Sequence, residues 1–224
     1  MQKETTMKTL IACTLTAWFA LVLVLGANQA FFRPPDTPPL PILISVLAPL
    51  AAFTAAYLRW GAFRQAVLRA DLPFLTAVQA WRAGGFVFLA LHAYGLLPGL
   101  FAWPAGWGDI AIGVTAPWMV LELIRRPAFA GSHLFALWNI LGILDLVVAM
   151  ATGVLSSGMV PGLVSDVTTA PMSRLPLVVI PAFLVPLFIM LHLVALFQAR
   201  QGGFAERPAT DRATESPRRI VSAA

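Results

Sequence analysis

The chain has 224 residues, of which 59% are hydrophobic and only 11% charged, far from the roughly one-quarter charged residues of a water-soluble domain. Its formal charge of +5 does not indicate nucleic-acid binding, because the cations flank apolar runs instead of striping a soluble face. The only lysines are Lys3 and Lys8, ahead of the first apolar run, and the single cysteine is Cys13, which excludes a Schiff-base lysine within the bundle, a phosphate-loop lysine, an intrachain disulfide and a cysteine metal cluster.

The apolar residues gather into blocks long enough to cross a bilayer, which takes about 20 residues at about 1.5 Å each. They predict an all-α, polytopic transmembrane bundle of about six spans: 9–30, 40–58, 72–97, 105–124, 132–155 and 175–198. Residues 1–198 form the membrane domain in this reading. Residues 199–224, rich in Arg, Glu, Thr, Ser and Pro, are expected to be a disordered cytoplasmic basic tail. The first run also admits a second reading, with residues 1–30 as a cleaved signal peptide, Lys3 and Lys8 as its charged region and Leu10–Leu25 as its apolar core.

Several spans open on local signals: Thr37 before Pro38-Pro39-Leu40-Pro41, Asp71 before Leu72-Pro73, Ser132 after Pro127 and Gly131, and Ser173 before Pro176. A small polar cap followed by proline suits a helix entrance, where the missing N–H would have no intrahelical partner. Pro49, Pro117, Pro181 and Pro186 lie within spans and are expected to kink them. In the second loop Trp60, Phe63 and Val67 recur at helical spacing among Arg59, Arg64 and Arg69. That pattern fits either a short interfacial helix touching anionic lipid or an ordinary basic loop.

Lysine and arginine concentrate in the N-terminus, the second and fourth loops and the tail, whereas the first, third and fifth loops hold only Arg33 and Arg174. Positive loops stay cytoplasmic. Both termini are therefore expected in the cytoplasm and the protein in a bacterial inner (plasma) membrane.

Ionisable groups inside spans are costly and are the first place to look for function. Depths counted from the expected span ends sort them into three layers. His92 and Asp109 form an outer pair, unless Asp109 merely caps a helix starting at Ile110; the four-residue spacing of Ala105, Asp109 and Gly113 forms a small-residue contact face. Arg82 and Asp145 fall within about 4 Å of the centre and are expected to neutralise each other, with Gln79 as a further partner of Arg82. Glu122, Asn139, His133 and His192 lie in the inner half, where Glu122 can reach Arg125 or Arg126. His133 and His192 are the sole candidates for a haem b ligand pair; no cofactor is predicted otherwise, and neither a metal-binding nor a nucleophile motif is present.

Three functions fit these residues. The favoured one is proton-linked or small-solute transport through a polar path in the bundle. The others are a membrane-embedded enzyme or redox subunit, and a structural or partner-binding membrane protein. A bundle of this size would enclose a pore by forming a homo-oligomer.

Overall fold

A computed structural model of the protein describes residues 2–34, 37–160, 162–163 and 167–205. Its helices are α1 (Gln2–Ala27), α2 (Leu40–Arg59), the short α3 (Gly61–Leu68), α4 (Leu72–Ala93), α5 (Gly99–Arg125), α6 (His133–Met159) and α7 (Ile180–Leu184 continued by Val185–Ala205). No strand occurs among the described residues. All but α3 are long and apolar enough to span a membrane.

Burial is inverted relative to a soluble protein. Leu47, Trp81, Trp118 and Ile124 face outward, each more than 60% exposed, whereas Arg82, Gln79, Asn139 and His192 are buried. An outward apolar belt around an inward polar set is the arrangement hydrocarbon solvent demands, since a lipid-facing charge is costly and a lipid-facing leucine is not. α7 is the most enclosed span. α1 packs on its start through Trp18 and Phe19 against Phe183, and α2 meets it through Val46, beside Val185, Phe188 and Ile189. α4, α5 and α6 complete the bundle around Ile112, Ala116, Phe135 and Trp138.

Both ends of the bundle are fastened. At the basic end, which carries the Arg59–Arg69 segment, the Gln198 amide donates to the carbonyls of Val67 and Ala70, 3.0 Å each. This ties α7 to the end of α3, so the stretch after Trp60 is a helix, with Val67 buried and Phe63 stacked on Trp60 and edge-on to Phe53. Glu122 reaches Arg126 at 3.6 Å along the outside of α5. At the opposite end, Gly26 of α1 sits so close to Leu175 and Val178 that a Cβ there would meet Leu175 at 2.9 Å.

Two expected caps form: Asp71 accepts from Phe74 N–H at 2.8 Å and Ser132 from Phe135 N–H at 3.1 Å. Two do not. The Thr37 hydroxyl donates to the Pro34 carbonyl, leaving Pro39 at the α2 cap without a side-chain bond, and Ser173 donates to Ala170 inside a one-turn helix. The sixth span therefore starts at Ile180 and not at Leu175, and opens on a π turn in which Val185 N–H reaches back to the Ile180 carbonyl. The widened turn lies where Pro186, lacking an N–H, cannot close an ordinary helical bond.

Three further boundaries move. α1 ends at Ala27, short of residue 30. α4 ends at Ala93, short of residue 97, because Gly95 at φ +69° closes it: Leu96 N–H bonds the Leu91 carbonyl and Gly95 N–H that of His92, the Schellman termination that glycine permits. α5 begins at Gly99, six residues before the expected start. The final helix continues through residue 198 to Ala205; Arg207, Arg212, Arg218 and Arg219, assigned to the basic tail, lie outside the described residues.

Candidate functional site

The centre of α4 is a 3₁₀ segment, Gln79–Gly85, in which Gln79, Arg82 and Gly85 are the buried residues. A 3₁₀ helix repeats every three residues, so this geometry lines all three along one inward face. The segment packs closely on α5, where glycines let the two helices approach. A Cβ on Gly113 would stand 2.1 Å from the Ala83 nitrogen, and one on Gly106 would stand 2.7 Å from Leu89. The expected Ala105–Asp109–Gly113 contact face is thus in place, with Gly106 added.

Arg82 enters the bundle from this segment with its side chain fully enclosed. Its Nε–H donates to Asp109 Oδ1 of α5 at 2.7 Å, and its Nη2 donates to Asp145 Oδ2 of α6. Nη1 faces both the Gly142 carbonyl at 3.2 Å and His192 Nε2 of α7 at 3.0 Å. The hydrogen-bond pattern fixes the imidazole: with Nε2 accepting from the guanidinium, Nδ1 carries the proton and donates to Asn139 Oδ1 at 2.9 Å. Asn139 in turn donates to the Phe135 carbonyl at 2.8 Å. Trp138 meets the His192 ring edge-on at 5.4 Å and donates its indole N–H to Thr115 at 2.9 Å.

A glycine admits each ionisable partner of Arg82. Asp109 lies against Gly85, where a Cβ would come within 2.4 Å of the aspartate Cβ. Asp145 lies against Gly108, with its Oδ1 1.6 Å from the position a Cβ would take, and His192 against Gly142, 2.3 Å from Nε2. Four helices can converge on one guanidinium because three of the close approaches are made over bare backbone.

Members of all three expected layers therefore meet in one cluster, which holds Arg82, Asp109, Asp145, His192 and Asn139. Arg82 and Asp145 meet, but Asp109 joins them instead of pairing with His92. Asp109 lies ten residues into α5, about 15 Å along a helix crossing a core of about 30 Å, which also removes its role as a cap. His92 sits at the end of α4, where Nδ1 bonds the Leu97 carbonyl at 2.9 Å and the ring packs edge-on against Trp103 at 5.7 Å, pinning the α4–α5 connection. Gln79 does not partner Arg82; its amide donates to the Phe188 carbonyl at 3.3 Å, and its Oε1 has no hydrogen-bond partner among the described residues. His192 belongs to the central cluster and not to an inner layer. The haem pairing does not assemble: both nitrogens of His192 are engaged, while His133 is exposed at the first turn of α6, about 9 Å along the axis from Asn139. Among the described residues no group of three or more His, Cys, Asp or Glu is placed to hold a metal ion.

The participants that sequence reasoning missed are Gly85, Gly108 and Gly142. Their signal was available, since each lies inside an apolar span where small residues mark close helix approach, but spacing alone does not say what approaches.

No curated protein and no solved structure matches the chain. Residues 38–200 match the family described as a domain of unknown function, DUF8737. That stretch begins just before α2, leaves α1 outside, and contains Arg82 and all of its partners, and the chain belongs to this family.

Proposed function

We propose that the protein is an inner-membrane protein of a bacterium, with both termini cytoplasmic, in which the Arg82 cluster is the proton-exchanging element of a small-solute transporter. The observation that carries this reading is a charge imbalance: two carboxylates share one enclosed guanidinium, and the imidazole beside it is held as a neutral acceptor by its bond to Asn139. One negative charge in excess near the bilayer centre costs several kcal/mol. A single exchangeable proton shared between Asp109 and Asp145 removes that cost. Arg82 has a fully buried side chain, whereas those of Asp109 and Asp145 retain 15% and 12% exposure, so the carboxylates are the reachable members. Gln79 Oε1, one turn towards the basic end, is a further buried acceptor in the same line.

Proteoliposomes carrying an internal pH dye test this. Asp145→Asn and Asp109→Asn are each expected to abolish solute-dependent proton movement while the protein still elutes as a folded species. Unchanged flux in both variants ends the reading. A second reading has its own observation, since every donor-bearing nitrogen of Arg82 is already engaged, as in a clamp that sets helix register. It predicts no proton flux in the wild type and a loss of stability only.

The orientation rests on the concentration of cations at the Arg59–Arg69 end. A reporter fused after Gln198 is expected to be active in its cytoplasmic form, and one inserted in the first or fifth loop in its external form; the opposite pattern reverses the assignment. The exposed Arg59, Arg64 and Arg69 would then face the anionic cytoplasmic leaflet.

A further inference from the structure

At the end of the bundle opposite the basic loops lies a cavity of about 160 Å³, bounded by the α1–α2 connection, the ends of α5 and α6 and the connection into α7. Its walls are apolar, formed by Phe31, Ile42, Phe101, Met150, Met172 and Pro181. The size is close to that of an engineered apolar cavity of about 150 Å³ that takes up benzene, so the space suits one ring or a short branched chain. Polar groups also line it: Arg33 and the hydroxyls of Thr37, Ser157 and Thr169.

All three of those hydroxyls are committed, Thr37 to the Pro34 carbonyl at 2.6 Å, and Ser157 to the Val154 carbonyl and Thr169 to the Gly153 carbonyl at 2.8 Å each. The Arg33 guanidinium is largely uncommitted. Among the described residues only its Nη1 donates, to the neighbouring Phe32 carbonyl at 3.2 Å. Arg174, the other cation of this face, is occupied over the Phe32 ring at 4.9 Å. An apolar space with a single cation on its rim, as the exposed Arg33 provides, suits a small amphipathic anion, and a guanidinium offers paired donors that match a carboxylate. The floor of the cavity includes Ala149 and Gly153, and Ala149 follows Asp145 by one turn of α6, about 6 Å along the axis.

We propose that this cavity is a binding site for a small amphipathic carboxylate, its apolar body between Phe31, Phe101 and Met172 and its carboxylate on Arg33. The proposal does not depend on proton exchange at Arg82, because binding is read without flux.

The test is equilibrium binding of benzoate, with neutral benzyl alcohol as control, to the full chain in nanodiscs, followed by calorimetry. Two variants separate the two halves of the site. Arg33→Gln is expected to weaken benzoate at least tenfold and leave benzyl alcohol unchanged. Gly153→Leu, at a position where a Cβ meets only the Phe101 ring at an ordinary 3.5 Å, fills the space and is expected to weaken both. Benzoate bound equally by the wild type and both variants is partition into lipid and overturns the proposal, as does no saturable binding by the wild type. Mass spectrometry adds a further outcome: a phospholipid retained by the wild type and lost from both variants makes the occupant an acyl chain, and the soluble-carboxylate assignment falls. Any of these failures leaves the flux test at Asp145 standing.

Discussion

Arg82→Gln is expected to destabilise the bundle by about 3–5 kcal/mol, the range for removing one partner from a buried ion pair. The loss is large because one side chain serves three helices. Without the guanidinium, the Asp109–Asp145 pair between α5 and α6 loses its counter-charge, and both the Gly142 carbonyl and His192 Nε2 lose a donor. Glutamine keeps a polar head of smaller reach and supplies no charge. Denaturation in mixed micelles, titrated with a strong detergent, gives the difference directly. The cause is separable from simple loss of volume: combining Arg82→Gln with Asp109→Asn and Asp145→Asn removes the uncompensated charge and is expected to recover more than half of the deficit. A single variant within about 1 kcal/mol of the wild type, in the range of an exposed pair, contradicts a buried cluster, and a triple variant as weak as the single one contradicts the electrostatic cause.

Gly113→Ala should have the second largest effect, about 2–3 kcal/mol, the upper part of the usual range for overpacking a close contact. The added methyl would stand 2.1 Å from the Ala83 nitrogen and 2.7 Å from its Cα. These are backbone atoms that no rotamer change can move, so α4 and α5 must separate and carry Arg82 away from Asp109. Gly84→Ala is the internal control, since it lies in the same 3₁₀ segment and a Cβ there meets nothing within 4 Å. It is expected to stay within about 0.5 kcal/mol of the wild type, as surface changes do. Equal tolerance of the two substitutions, measured by the same denaturation, would show that α4 and α5 do not touch as described.

The spans were legible because hydrocarbon imposes a length and an apolar composition that short loops cannot imitate. The depth of each polar residue was not, because depth is counted from helix ends and those ends are set by local chemistry. Gly99–Gly108 holds two tryptophans, a proline and three glycines and reads as interfacial chain, yet it is the first third of α5, with Trp103 and Trp107 turned outward. Placing the start at Ala105 put Asp109 near a membrane face and paired it with His92. The apolar letters of Leu96 and Leu97 hid the stop that Gly95 makes in α4. Opening the sixth span at Leu175 added five residues before Ile180 and pushed His192 towards the basic end by about 8 Å. Arg82 and Asp145 escaped these errors because the well-marked entrances at Asp71 and Ser132 anchor their depths.

The unusual winding of α4 also couples the length of that span to the direction in which Arg82 points. Seven residues from Gln79 to Gly85 rise about 2.0 Å each where an ordinary helix gives about 1.5 Å, and turn about 120° each where an ordinary helix turns about 100°. Rewinding them would shorten the span by about 3.5 Å, comparable with the thickness difference between biological membranes, and would swing Arg82 away from both aspartates. Stretch along the membrane normal and the grip of one guanidinium on two carboxylates are therefore the same mechanical variable.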